Sequence, residues 1–430
     1  MAVSQLLENI PMPKMIPVRQ HFSTTKVQDI AATLRVELQN PLIISQIKKD
    51  MRVAIAVGSR GIAGLPVIVK TVVEAVKRCG ANPFIVPAMG SHGGATAMGQ
   101  KEVLESLGVT EAVIGCSIIS DMEVVQLGTL DNGLVVYMDK NAFTADGIVI
   151  INRVKPHTGF SGDHESGLLK MIAVGLGKQK GASAVHSAGR KSMSSNIAAA
   201  ARMALKNTHI LFGVATIENA YDQVMQITAA PATQIVDIDK DLLVTAKRNM
   251  AKILLQPLDI LIVDQIGKEF SGAGMDPHVT GRASWPDVSV GPEPNRIVIL
   301  DISEKSHGNA VGMGMADVCT RSFFDKINFD MCYMNALTAG GTQSVRVPMV
   351  LSSDRLAIQA AMMTCSTVDP YQMRIVRIPN TLRIRDIYIS ECMKEDALKN
   401  QSISLLGDAE ELCFDNSGNL QDIGHYDDHL

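Results

Sequence analysis

The chain has no excess of positive charge. Its 40 lysines and arginines face 44 aspartates and glutamates, a net charge of −4 over 430 residues. The basic residues are spread out rather than gathered into a tract or face, so nucleic acid is not an expected partner. Cysteine is scarce and unpatterned. The seven residues Cys79, Cys116, Cys319, Cys332, Cys365, Cys392 and Cys413 are odd in number, widely spaced and without a CxxC. That argues against a disulfide framework and a structural zinc site, and most of these thiols are expected as small buried hydrophobes. Long apolar runs are missing as well. The longest are strand-length and broken by Gly or charge, so no transmembrane helix is expected. The N-terminal "MAVSQLLENIPMPKMIPVRQHF" lacks a basic segment followed by an apolar core, the pattern of a signal peptide. Together these absences lead to the expectation of a soluble, reduced, cytoplasmic protein with no membrane partner.

What is present is ordinary in bulk and ordered in detail. Hydrophobic residues make up 46% and charged residues 20%, as in globular proteins, and the length suggests two domains. Short β-rich apolar runs alternate with helical patterns. "RVAIAV" (52–57), "PFIVPA" and "GIVIIN" (147–152) read as strands. "PVIVKTVVEAVKRCG" reads as a helix entered at Pro66 and left near Gly80, and "MGQKEVLESLG" and "SSNIAAAARMALKN" read as two more. A second run of alternation starts at "LDILIVDQIGKEF" and continues through "NRIVILDIS" and "VPMVLSSDRLAIQAAMMTC". Between the two lies "DKDLLVTAKRNMAKILLQP", expected as a connecting helix stopped by Pro257. The expected architecture is α/β: two α/β domains, residues 1–256 and 257–430, with mainly parallel sheets and a cleft between them at the carboxyl ends of the strands. The polar tail "NSGNLQDIGHYDDHL", with His425 and His429, is expected to fray into solvent.

One pattern recurs in both halves. A strand ends, and a glycine-rich polar turn follows at once. "GSRGIAG" presents Ser59 and Arg60, "MGSHGGAT" presents Ser91 and His92, "RVKPHTGFSG" presents Lys155 and His157, and "DQIGKEFSGAG" presents Gln265 and Lys268. Ligands of open α/β sheets bind beyond strand carboxyl ends, and glycine lets backbone approach a ligand closely. Four such turns, each delivering a cation or an imidazole, point to one shared site.

The familiar nucleotide and metal signatures do not fit it. "GSRGIAG" is not GxGxxG, and "GLGKQ" has no hydroxyl after its lysine, so neither a nicotinamide-dinucleotide fingerprint nor a P-loop is present. No HExxH occurs, although His157, His164 and His186 lie within 30 residues of one another. His21, His209 and His278 read as ordinary polar residues. Lys178 and Lys180 read as solvated or at most phosphate-facing. Lys170, set in "GLLKMIAVGLG", either snorkels to water or carries a perturbed, reactive amine.

In combination and order, "SRG" at 59–61, "GSHGG" at 90–94, "KPHTGFSG" at 155–162, the interval from Lys170 to His186 and "DQIGK" at 264–268 resemble the nickel-pincer-dependent lactate racemase family of 2-hydroxy-acid racemases and epimerases. The resemblance runs over most of the chain. It implies a nickel-pincer nucleotide, a nicotinic-acid-derived mononucleotide whose sulfur donors hold the metal. Lys170 is implied as its covalent anchor, His186 as the protein's nickel ligand, and Ser59, Gly90, Gly159 and Ser161 as further cofactor contacts. His92 and His157 correspond to the acid/base pair, and Arg60, Gln265 and Lys268 to the substrate-binding residues. A small 2-hydroxy acid is the implied substrate, with cofactor-synthesis proteins as transient partners; assembly into a homo-oligomer is left open.

The chemistry is coherent. The C–H bond at C2 of a 2-hydroxy acid has very low acidity, and removing hydride avoids the carbanion. Returning hydride to the opposite face of a planar 2-keto acid inverts the centre, with an imidazole on each side to handle the hydroxyl proton. An arginine can grip the carboxylate in a fork. Three departures stand out. The segment between "GFSG" and Lys170 is expanded by several residues relative to the family and contains His164 and Glu165. Val57-Gly58-Ser59-Arg60 replaces the family's common Asp-x-Thr-Arg, and Asp264 stands where an aromatic is common, which favours a larger or hydroxylated acid over lactate. The alternatives are a non-catalytic nucleotide- or cofactor-binding protein, which would need the glycines but not both histidines, and a nicotinamide-dependent dehydrogenase.

Overall fold

A computed structural model of the chain describes residues 3–187, 189, 192–285 and 288–421. His425 and His429 lie outside the described residues. Two compact units emerge: Ser23–Met250, and a second that joins the N-terminal residues through Phe22 to Ala251–Leu430.

The first strand, β1 (Met15–Gln20), belongs to the second unit. The Ser23–Met250 unit contains β2 (Arg52–Val57), β3 (Asn82–Pro87), β4 (Val124–Thr129), β5 (Val135–Asp139), β6 (Gly147–Arg153), β7 (Ile210–Glu218) and β8 (Val224–Pro231). Its main sheet runs β3-β2-β6-β7-β8, and β4 and β5 pair separately. The first four strands of that order are mutually parallel, and β8 closes the edge antiparallel to β7. The unbroken apolar runs of β2 and β6 suit strands covered on both faces. One cover is the helix Leu65–Arg78, whose Ile68, Val69, Val72, Val73 and Val76 are buried along one stripe. Pro66 sits in its first turn, and Gly80, at φ 77°, turns the chain back toward β3.

The helix expected to run to Pro257 spans Ile235–Asn249 and stops well short of that proline. It is not a connector. Leu242, Leu243 and Ala246 join the core of the first unit, each large side chain contributing about 1.5–3 kcal/mol by its burial. The helix therefore ends where its apolar stripe ends, and the division between units falls after Met250 rather than after residue 256.

The second unit carries β9 (Ile260–Ile266), β10 (Arg296–Ile302), β11 (Val318–Thr320), β12 (Met349–Leu351), β13 (Ile375–Ile378), β14 (Asp386–Ser390) and β15 (Ile403–Leu405). Its sheet runs β12-β11-β10-β9-β13-β14-β1-β15. The strands from β12 to β13 are parallel, and β14, β1 and β15 continue antiparallel. β1 enters this sheet by backbone pairing on both edges, which is why the first residues leave the unit that follows them in sequence. The fold is thus α/β with mostly parallel sheets. No helix among the described residues is long and apolar enough to cross a membrane. All seven cysteines are free; only Cys319 and Cys332 are fully buried, and Cys413 is exposed, so most are less buried than their type suggests.

Candidate active site

β3, β2 and β6 are adjacent and parallel, so the turns leaving their carboxyl ends emerge side by side. The turn after β2 must pass close to its neighbours. A Cβ at Gly58 would lie 2.7 Å from the Met171 methyl, so a side chain there would push Met171 aside. Next in line, the Ser59 hydroxyl meets His92 Nδ1 at 2.5 Å, tying the β2 turn to the β3 turn. In the β3 turn, Gly90 takes φ 61° and its N–H bonds the Gly175 carbonyl at 3.1 Å. Gly175 closes a π-helical turn, Met171–Gly175, that directly follows Lys170; such turns in helices often mark functional sites.

The turn holding His92 is braced from behind. Gln100 Nε2 donates to the Gly90 carbonyl at 2.9 Å and to the His92 carbonyl at 3.3 Å. Lys178 donates to the Pro87 carbonyl at 2.5 Å and to Gln100 Oε1 at 3.0 Å, and its ammonium lies 3.2 Å from Asp139. Lys178 and Asp139 are fully buried, which corrects the expectation that Lys178 is solvated. The lysine is inside because a buried carboxylate and two oxygens satisfy it there. Lys180 is exposed as expected.

The turn after β6 is held from the opposite side. Glu165 is 1% exposed and accepts from the His157 N–H at 2.6 Å, the Gly162 N–H at 3.2 Å, the Ser161 hydroxyl at 3.4 Å and Lys247 Nζ at 2.5 Å. The Gly159 N–H donates to His157 Nδ1 at 2.9 Å, and Phe160 stacks on the imidazole at 4.2 Å. His164 is a fastener. Its Nδ1 meets Asp239 at 3.2 Å and its N–H donates to Ser194 Oγ, while Asp239 also accepts from the Leu168 N–H at 2.5 Å. A Cβ at Gly167 would collide with Asp239, so the chain runs hard against this carboxylate just before Lys170. Both Asp239 and Lys247 come from the helix Ile235–Asn249.

Lys170 lies at the centre of these charges. Its ammonium sits 5.5 Å over the Phe160 ring. Burial, then Arg60 and then Lys155, bring its pKa down from 10.5 to about 7, against an opposing pull from Glu165. His92 is likewise held below its ordinary value, first by burial and then by Arg60 and Lys170, although the residue as a whole is exposed. A neutral imidazole and a partly neutral amine therefore coexist at pH 7 beside two exposed cations, Arg60 and Lys155. Such a group can bind an anion, offer a nucleophilic nitrogen and move a proton.

Of the residues singled out in the sequence, Ser59, Arg60, Gly90, His92, His157, Gly159 and Ser161 lie on these three turns, and Lys170 ends the short helix Leu168–Lys170 beside them. Ser59, Gly90, Gly159 and Ser161, expected as cofactor contacts, each have a bond within the protein that shapes the site. His186 is exposed in the last turn of the helix Lys178–Ser187. Among the described residues no three His, Cys, Asp or Glu side chains gather to hold a metal. Gln265 and Lys268 belong to the other unit. Gln265 is exposed at the end of β9, and Lys268 donates to the Gly272 carbonyl at 2.8 Å while its N–H bonds Ser306 Oγ. Asp264 is paired with Arg377 at 2.8 Å. The sequence did not single out Phe160, Asp139, Gln100, Asp239 or Lys247.

Residues 5–211 match the family model of the lactate racemase N-terminal domain. This segment of the chain is similar to a lactate racemase N-terminal domain. All three turns fall inside the matched segment. Among solved structures, the lactate racemase apoprotein from Thermoanaerobacterium thermosaccharolyticum is similar at 14% identity, with 86% of this chain and 99% of that one covered and a TM-score of 0.53. A protein from Thermotoga maritima is similar at 14% identity over 62% of this chain and 70% of its own, with a TM-score of 0.46. No curated protein matches. The domain match supports a racemase-like function, and the likeness to the apoprotein shows a shared fold.

Proposed function

We propose that the chain is a racemase or epimerase of a 2-hydroxy acid that works with a nickel-pincer nucleotide. The observation that carries this is the half-buried Lys170, with an amine at about 7, in the same cluster as His92, His157 and Arg60 inside a segment similar to a lactate racemase N-terminal domain. The residues fit such a cofactor. The amine is deprotonated enough near neutrality to react, and Arg60 and Lys155 supply positive charge for phosphate or carboxylate groups. Lys170 would anchor the nucleotide, and His186 would give the metal one imidazole, with the remaining donors belonging to the nucleotide.

When bound, the cofactor supplies an electrophilic pyridinium that accepts and returns the hydride at C2. The chain's residues do the rest. Arg60 grips the substrate carboxylate and fixes the position of C2. His92, kept neutral near pH 7, takes the hydroxyl proton at Nε2 while Ser59 holds Nδ1. His157 serves the oxygen from its own side of the site. Gln265 and Lys268 are assigned to the carboxylate and the charge that develops on oxygen.

The test is to produce the full chain in a host that makes the cofactor, then measure nickel, ultraviolet-visible absorption and intact mass. Nickel with a nucleotide-sized mass on the protein is expected. Folded protein that acquires neither counts against the proposal.

A further inference from the structure

The two histidines are held in different ways. A backbone N–H can only donate, so the bond from Gly159 to His157 Nδ1 requires that nitrogen to carry its lone pair. The proton of the neutral ring is then on Nε2. Phe160, itself buried, stacks on one face of the ring at 4.2 Å and favours this orientation. His92 is different. Its Nδ1 meets a hydroxyl, which donates or accepts as required, so that ring can carry its proton on either nitrogen.

The geometry of residues 157–162 comes from one carboxylate. Glu165 receives the N–H of His157 at one end of the segment and the N–H of Gly162 at the other, with the Ser161 hydroxyl between them. Lys247 supplies the countercharge from the helix Ile235–Asn249. The two carboxylate oxygens can accept from all four donors at once. An amide in its place has one acceptor oxygen instead of two and would turn an N–H toward one of these donors.

We propose that Glu165 is a positioning residue: with Lys247 it clamps the 157–162 turn so that Gly159 locks His157 as the neutral imidazole protonated on Nε2. Resting on the proposed function above, this makes the acid/base pair unequal at rest. His157 meets the substrate oxygen as a hydrogen-bond donor, and it takes up a proton only by giving up the Gly159 contact. His92 is the resting acceptor. The longer interval between "GFSG" and Lys170, which holds Glu165, thereby acquires a role.

The experiment is nuclear magnetic resonance of the full chain with 15N-labelled histidine, at mildly alkaline pH and without cofactor or substrate. Racemase activity plays no part in it, so it fails or succeeds separately from the proposed function. His157 is expected as a single Nε2–H tautomer. His164, with Nδ1 on Asp239, is expected as the opposite tautomer and serves as the internal check on folding. In Glu165→Gln the His157 signal should become a mixture of tautomers while His164 keeps its own. Lys247→Met, which leaves the carboxylate in place, should shift His157 the same way but less. If Glu165→Gln disturbs His164 as well, the Lys247→Met protein decides: an unchanged His157 there overturns the clamp. A wild-type His157 protonated on Nδ1, or a His157 spectrum untouched by Glu165→Gln, also overturns it.

Discussion

The amine of Lys170 offers the sharpest prediction that needs neither cofactor nor substrate. A lysine at its ordinary 10.5 is neutral in about one molecule in 3,000 at pH 7, whereas one at about 7 is neutral in about half. The reactive fraction at neutrality is thus larger by roughly a thousandfold. Brief acylation of the full chain over a pH series, read by peptide mass spectrometry, should show Lys170 half-labelled near pH 7 while surface lysines label only at much higher pH. Arg60→Gln removes the second-largest cause and should raise the half-labelling pH of Lys170. Stability gives an independent reading. Between about 7 and 10.5 the unfolded chain holds a proton on this amine that the folded chain has lost, so this group's contribution to stability rises with pH across that window. Denaturant titrations of Lys170→Met should lack that rise. Lys170 labelling with the pH profile of surface lysines would refute the reasoning, since it would mean that the amine is neither desolvated nor opposed by Arg60.

Other outcomes follow from the same geometry. His92→Ala and His157→Ala should each lower turnover by about 10²–10⁴-fold while the nickel content of the purified protein is kept, and wild-type rates in both would remove these rings from the chemistry. Arg60→Lys should raise KM or lower kcat despite its conserved charge, because an ammonium cannot make the planar two-pronged contact; unchanged kinetics would show that Arg60 does not hold the carboxylate. Lys178→Met leaves Asp139 buried without its cation and should cost about 3–5 kcal/mol in denaturant unfolding, with Asp139→Leu in the same chain restoring much of it. In His186→Ala the bound nickel should fall; undiminished nickel would take that histidine away from the metal.

Much of the fold was legible because its strands are unbroken apolar runs and its helices carry clear stops. The strand over 52–57 and the helix ended at Gly80 are where the alternation puts them. β1 was not legible, since its membership of the second unit rests on backbone pairing with β14 and β15, to which no side-chain pattern points. The site was legible one turn at a time. Glycine-rich turns after strands mark where Ser59, His92 and His157 sit, and parallel pairing brings those turns together. The supporting charges were hidden. Asp139 lies 39 residues before Lys178, and Lys247 lies 82 residues after Glu165, so nothing local in the sequence predicts either pair. A lysine between glycines looks solvated until its carboxylate is found.

The most direct measurement is the fate of the C2 hydrogen. Nickel-loaded protein is incubated in deuterium oxide with single-handed 2-hydroxy acids, and the product's configuration and deuterium content are followed by chiral chromatography and mass spectrometry. The account predicts inversion of at least one acid with the original hydrogen retained at C2, because hydride leaves and returns without meeting solvent. Inversion with solvent deuterium at C2, or nickel-loaded protein that inverts none of the acids, would contradict it.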